Sequence, residues 1–168
     1  GRVSNQVNDV LLQFLESGFY IIGITNQTFP GYHKRFKFLN AIKYRYKLSQ
    51  LLKKSVFDHI FICHHHPKSK IGYLKLNCNS RKPFPGSIEK ALELLRIDRE
   101  KSIIIGDRIT DIAAGHNAGI GKKLLVFQDY SLAWNEGSPE NRNDVLSFGI
   151  FRNLEEALIA LLDLEFER

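Results

Sequence analysis

Three short polar clusters in this sequence carry residue types suited to a phosphate ester. The most specific is Gly106-Asp107-Arg108-Ile109-Thr110-Asp111, which follows the apolar run Ser102 to Ile105. An aspartate at the end of such a run offers a hard oxygen to magnesium. Glycine permits the tight turn, and Asp111 stands one helical turn on, where it reaches the metal shell or buttresses a lysine. The second cluster is Thr25-Asn26, closing the apolar, β-branched run from Phe19. A hydroxyl beside free backbone N–H groups holds a phosphate oxygen, although the same pair also suits a helix or turn cap. The third is Arg81-Lys82-Pro83, at the entry to a helix. A cation at the mouth of a cleft stabilises phosphate charge in the ground and transition states; an Arg-Lys pair alone also fits plain surface charge.

Alternating strands and helices must position these clusters. Apolar spacing predicts a helix over Val7 to Ser17, stopped by Gly18, and strands over Phe19 to Thr25, Ile60 to Cys63, Ser102 to Ile105 and Lys123 to Phe127. Further helices are expected from Pro85-Gly86-Ser87, with Ser87 or Gly86 near the cap, to about Leu95, and over Thr110 to Ala118. A turn-rich stretch from Asp129 to Asn143 leads to a short strand at Phe148 to Phe151. Asn153 caps a last helix, Leu154 to Leu162. This order argues for a mostly parallel α/β sheet, in which ligands sit at the carboxyl ends of the strands. Thr25-Asn26, Cys63 to His66 and Asp107 all fall at such ends.

The 168 residues suit one domain. No apolar run approaches the ~20 residues that span a bilayer, and Gly1 to Asn5 has no signal-peptide character. Two cysteines make no disulfide framework, so a reducing, cytoplasmic setting without membrane attachment is expected. Much of the +6 net charge is local, with eight Lys or Arg and no acid between Lys34 and Lys54. That stretch reads as a basic helix with a solvated cationic face, burying Phe38, Ile42 and Tyr46 or Leu48, Leu51 and Leu52. A platform for phosphorylated partners or nucleic acid is the alternative.

The order of the clusters resembles motifs two, three and four of the haloacid-dehalogenase-type (HAD) phosphatases. Its carriers are Thr25-Asn26-Gln27, Cys63-His64-His65-His66-Pro67, Arg81-Lys82-Pro83-Phe84-Pro85-Gly86, Gly106 to Ile112, and Ala114-Gly115-His116-Asn117-Ala118-Gly119-Ile120. The match covers about residues 7 to 127 and is similar to the capless subfamily that acts on heptose bisphosphate and histidinol phosphate. The resemblance implies a Rossmann-like three-layer α/β sandwich with a mostly parallel sheet and a magnesium-dependent phosphatase of a small phosphorylated metabolite such as a sugar phosphate. It implies that Thr25 holds the phosphoryl group with Asn26, that Lys82 clamps it, and that Arg81 contacts the substrate. Asp107 would bind magnesium, with Asp111 in the outer shell. It also implies a zinc loop, here Cys63, His65 and Cys78, in which the usual last cysteine is Ser80 and His64 or His66 could substitute.

In such enzymes an Asp-x-Asp pair at the end of the first, central strand supplies the nucleophile and the proton donor, and no Asp-x-Asp occurs in this sequence. Asp9 falls in the first helix and Asp163-Leu164-Glu165 at the end of the last. The expectation is one HAD-like domain over residues 1–168, N-terminally incomplete, without the central strand and inactive as written. Its alternatives are a natural non-catalytic phosphate-binding or scaffold homologue, one that borrows the strand from another chain, and, less favoured, a nucleic-acid-end phosphatase. Substrate identity and oligomeric state are not encoded in these motifs.

Overall fold

In order along the chain, the elements are α1 (Asn5–Glu16), β1 (Ile22–Asn26), β2 (His59–Cys63), a 3-10 turn (Gly72–Leu74), α2 (Gly86–Leu95), β3 (Ile103–Gly106), α3 (Ile109–Asn117), β4 (Lys122–Val126), β5 (Ile150–Phe151) and α4 (Leu154–Phe166). They belong to a computed structural model that describes residues 5–27, 46, 56–69, 72–126 and 149–166. The expected turn-rich stretch from Asp129 to Asn143 lies outside the described residues, as does most of the basic stretch. Tyr46 is described; it is helical but 66% exposed, so it does not contribute to a buried stripe.

All strand pairs are parallel. β1 pairs with β2, Ile24 opposite Phe61, and β3-β4-β5 form a second sheet, Ile105 opposite Leu124 and Val126 opposite Phe151. Among the described residues no strand joins the two sheets. Alternation along the strands explains the layers. Ile103, Ile105 and Leu124 pack with Val7, Val10 and Phe14 of α1 and with Ala157, Leu158 and Leu161 of α4. Ile24 and Ile104 pack on the opposite side with Ile88 and Leu92 of α2 and Ala114 and Ala118 of α3. Ile109 and Ile112 of α3 close on Leu125. The result is the three-layer α/β sandwich expected, with helices over both faces of parallel strands.

Local chemistry sets the turns. Gly18 has φ +87° and Gly119 φ +71°, the left-handed conformation that ends a helix without a Cβ penalty. Phe19 N–H then bonds Phe14 C=O, and the Phe14 and Phe19 rings meet edge to face at 5.3 Å. Asn153 caps α4 through a bond from Glu156 N–H to its Oδ1. The start of α2 differs from expectation. Pro85 occupies the cap without a side-chain bond, and Ser87 is buried with its hydroxyl donating to Ser80 C=O. Among the described residues no helix is long and apolar enough to cross a membrane.

Candidate functional site

β1 and β3 end at the same side of the molecule, where Lys82 ties them together. Its backbone is clamped to the end of β1 by two bonds of 3.1 Å, from Lys82 N–H to Asn26 Oδ1 and from Asn26 Nδ2 to Lys82 C=O. Its Nζ donates to Ile24 C=O at 2.9 Å and lies 2.6 Å from Asp111 Oδ1. One side chain therefore links β1 to the first turn of α3, across the division between the two sheets. A cis peptide joins Lys82 to Pro83, and Asn117 Nδ2 holds Pro83 C=O from the far end of α3.

The end of β3 approaches α3 closely. A Cβ on Gly106 would stand 2.7 Å from Asp111 Oδ2 and 2.8 Å from Asp111 Cγ. Asp111 Oδ2 also accepts from Arg108 N–H, so the carboxylate caps the turn. Burial raises the Asp111 pKa above the ordinary aspartate range, and the neighbouring Asp107 charge adds to the rise; the Lys82 ammonium and the Arg108 N–H oppose it. Asp107 is exposed, whereas the Asp111 side chain is only 6% exposed.

These facts decide how magnesium would fit. Both Asp111 oxygens face protein partners, while Asp107, close enough for its charge to act on Asp111, is exposed. Magnesium keeps several waters and is commonly held by one or two carboxylates plus a substrate phosphate. The donor set suits direct ligation by Asp107, with Asp111 behind it. Thr25 Oγ1 accepts from Gln27 Nε2 at 3.1 Å and lines the same cleft as Lys82 and Asp111. Arg81 is directed elsewhere: its Nη1 donates to His65 C=O at 2.8 Å.

A second cluster lies beside the first. One donor atom each from Cys63, His65 and Cys78 come within 4.8 Å of one another, and Cys63 Sγ is 3.9 Å from His65 Nδ1. Ordinary zinc bond lengths at a tetrahedral angle place sulfur and nitrogen ligands about 3.6 Å apart, so three N/S donors are set near a zinc-like spacing. Burial pushes the Cys63 thiol up, with Cys78 adding to the rise; hydrogen bonding to the His65 backbone and the Arg81 charge oppose it. His64 Nδ1 contacts Gln27 C=O at 2.8 Å, and the cluster consists of Cys63, His65 and Cys78 without it.

Three roles were not visible in one dimension. Asn26 is a clamp on the Lys82 backbone, Ser87 anchors the loop ahead of α2, and Asn117 holds Pro83. Each is a long-range side chain-to-backbone bond, and no local spacing announces such a contact. Asn26→Ala removes both bonds to Lys82 and is expected to lower stability by about 1–2 kcal/mol. Urea unfolding checks this, and an unchanged midpoint would show that the clamp carries no weight.

The fold agrees with what sequence comparison finds. Residues 79–143 match the HAD-hydrolase-like family model. The chain belongs to the HAD phosphatase family. It is 35% identical over 145 residues to the D-glycero-alpha-D-manno-heptose-1,7-bisphosphate 7-phosphatase of Photorhabdus laumondii, covering 84% of this chain and 75% of the relative. The D-glycero-beta-D-manno-heptose-1,7-bisphosphate 7-phosphatase of Vibrio cholerae is 43% identical over 70 residues, or 42% of this chain and 38% of that protein. The Yersinia pestis enzyme of the same name is 33% identical over 122 residues, 71% of this chain and 64% of the relative. The chain thus spans between about two fifths and three quarters of these relatives. The crystal structure of D,D-heptose 1,7-bisphosphate phosphatase from B. bronchiseptica, complexed with magnesium and phosphate, superposes with a TM-score of 0.67 over 96% of this chain and 84% of that one, at 21% identity.

Proposed function

We propose that this chain forms the phosphate- and magnesium-binding half of a sugar-phosphate phosphatase site, of the heptose-bisphosphate class, and that residues 1–168 bind such a ligand without hydrolysing it. The observation that carries this reading is the convergence of Thr25, Lys82 and Asp111 on one cleft where β1 and β3 end. Lys82 would clamp a phosphoryl oxygen, and Thr25 with the backbone N–H of Asn26, whose side chain is held by Lys82, would hold another. Arg81, with its Nη1 held by His65 C=O, would meet the remainder of the substrate only through its other guanidinium nitrogens. Asp107 would ligate magnesium with Asp111 behind it, and the ion would supply charge neutralisation at the phosphoryl group. Covalent phosphoryl transfer also needs a positioned nucleophile. Asp111 is committed to Lys82 and Arg108, and Asp107 to the metal, so neither is free to attack.

Titration calorimetry with inorganic phosphate, with and without magnesium, tests the reading. Saturable binding that strengthens with magnesium is expected, together with no turnover of p-nitrophenyl phosphate. Absence of binding in both conditions would overturn the site assignment. Magnesium-dependent turnover would overturn the inactivity.

The neighbouring thiol–imidazole cluster is proposed as a structural zinc site of three protein ligands, Cys63, His65 and Cys78. Metal analysis of protein purified without a His-tag should give about one zinc per chain, and Cys78→Ser should reduce it to trace. Trace zinc in the parent protein would dismiss the site. The free thiols and a sugar-phosphate substrate both suit a reducing, cytoplasmic setting.

A further inference from the structure

The sequence holds two cysteines, and the fold brings both to one place. Cys63 ends β2, opposite Asn26 of β1, and is 3% exposed. Cys78 is half-buried on an irregular segment between the 3-10 turn and α2, and the residues just before it, Lys75 to Asn77, are exposed. Residues 64–77 separate the two along the chain, yet their sulfurs lie within 4.8 Å of each other.

A disulfide sets its sulfurs about 2.05 Å apart. The pair therefore has to close by no more than about 2.8 Å, a distance that a change of staggered well at one cysteine spans. The two sides differ in freedom. Cys63 is fixed in the strand ladder, where Gln27 N–H bonds its C=O at 2.9 Å. Cys78 belongs to no helix or strand, so its side chain and the exposed residues ahead of it are the part that can move. Exposure also divides the chemistry, because an oxidant in solution reaches the half-buried Cys78 before the buried Cys63.

We propose that Cys63 and Cys78 form a reversible thiol–disulfide pair closed by hydrogen peroxide, with Cys78 as the thiol that meets the oxidant and Cys63 as the thiol that resolves it. In the first step the Cys78 sulfur attacks one peroxide oxygen. The O–O bond breaks, an S–O bond forms, and the other oxygen leaves as water with the thiol proton. The Cys63 sulfur then attacks the Cys78 sulfenic sulfur. The S–O bond breaks, the S–S bond forms, and the hydroxyl leaves as a second water with the Cys63 proton. The two thiols give up the electron pair that the peroxide takes, and a thiol reductant reopens the bond by exchange. A sulfur in a disulfide is no longer a thiolate, so closure and metal ligation exclude each other. The inference stands apart from the zinc reading, since it rests on the positions and exposure of the two sulfurs and not on an ion between them.

The test treats the full chain, incubated with EDTA, with an equimolar amount of hydrogen peroxide and follows intact mass and the thiols that titrate in denaturant. Expected are loss of both thiols, a mass lower by two hydrogens, a peptide map joining Cys63 to Cys78, a single chain on a non-reducing gel, and return of both thiols in dithiothreitol. Cys63→Ser is expected to gain oxygen at Cys78 instead, and Cys78→Ser to react at least about tenfold more slowly than the parent, because the buried thiol must then meet the peroxide itself. Mass gained as oxygen in the parent, two thiols surviving an excess of peroxide, or a disulfide joining two chains would each overturn the pair. A Cys78→Ser variant that reacts as fast as the parent overturns the order of attack. One equivalent of zinc added before the peroxide should slow closure at least about tenfold by occupying both sulfurs. An unchanged rate there counts against the zinc reading alone, since mass and thiol count decide the disulfide without it.

Discussion

Lys82→Ala is expected to weaken inorganic phosphate binding about 100-fold and to destabilise the fold by about 3 kcal/mol at neutral pH. The first effect follows from losing the charge-assisted contact proposed for Lys82 at the phosphoryl position. The second arises because Asp111, with a side chain 6% exposed, is left without its cation 2.6 Å away. Removing one partner of a buried pair costs far more than the pair contributes, since a charge remains in a poorly solvating site. Lys82 Nζ also spans Ile24 C=O and Asp111, so its loss unties β1 from α3.

The pH dependence of that penalty is diagnostic. The Asp111 carboxyl is already held above its ordinary value by burial, and deleting the ammonium raises it further. A group whose folded pKa exceeds its unfolded pKa adds stability below the unfolded value and loses it as pH rises through the folded value. In Lys82→Ala this contribution is larger than in the parent, so the gap between the two proteins narrows as pH falls and Asp111 takes up a proton. Urea unfolding at pH 7 and pH 5 measures it. Equal gaps at both pH values would mean that Asp111 is not the source. Asp111→Asn placed on Lys82→Ala should recover part of the neutral-pH loss.

Gly106→Ala is expected to destabilise by about 3 kcal/mol and to abolish measurable phosphate binding. The new methyl would press on Asp111 at 2.7–2.8 Å from Oδ2 and Cγ. Overpacking of this kind commonly costs about 1–3 kcal/mol, and here the yielding group is the carboxylate that holds Lys82. Gly121→Ala separates the two effects. Its Cβ would collide with the Glu100 backbone, 2.7 Å from Glu100 C and closer still to its carbonyl oxygen, at the turn into β4. Comparable instability is expected there, with phosphate affinity retained in the folded fraction. Equal loss of binding in both variants would show that affinity simply follows stability.

Much of the candidate site was legible before the fold was known. Thr25, Lys82, Asp107 and Asp111 stand out because apolar β-branched runs end at polar residues, and a parallel sheet brings such ends together. The order of the strands and helices among the described residues was equally open to reading, with ends shifted by at most four residues. The last helix extends to Phe166, beyond the Leu162 expected; past Leu162 the exposed Asp163 and Leu164 continue no buried stripe that would have marked it. Ser87 was misread as a cap candidate because a serine near a helix start usually is one, whereas here a distant carbonyl takes its hydroxyl.

The sequence by itself determined the alternation of elements, the family, and the residue types at the strand ends, since periodicity and short motifs act within a few residues. Only the tertiary structure decided that Asn26 clamps a backbone 56 residues away. It also decided that Arg81 is held by His65 and that Lys82 links the end of β1 to α3 across two sheets. Those outcomes depend on which groups meet after packing.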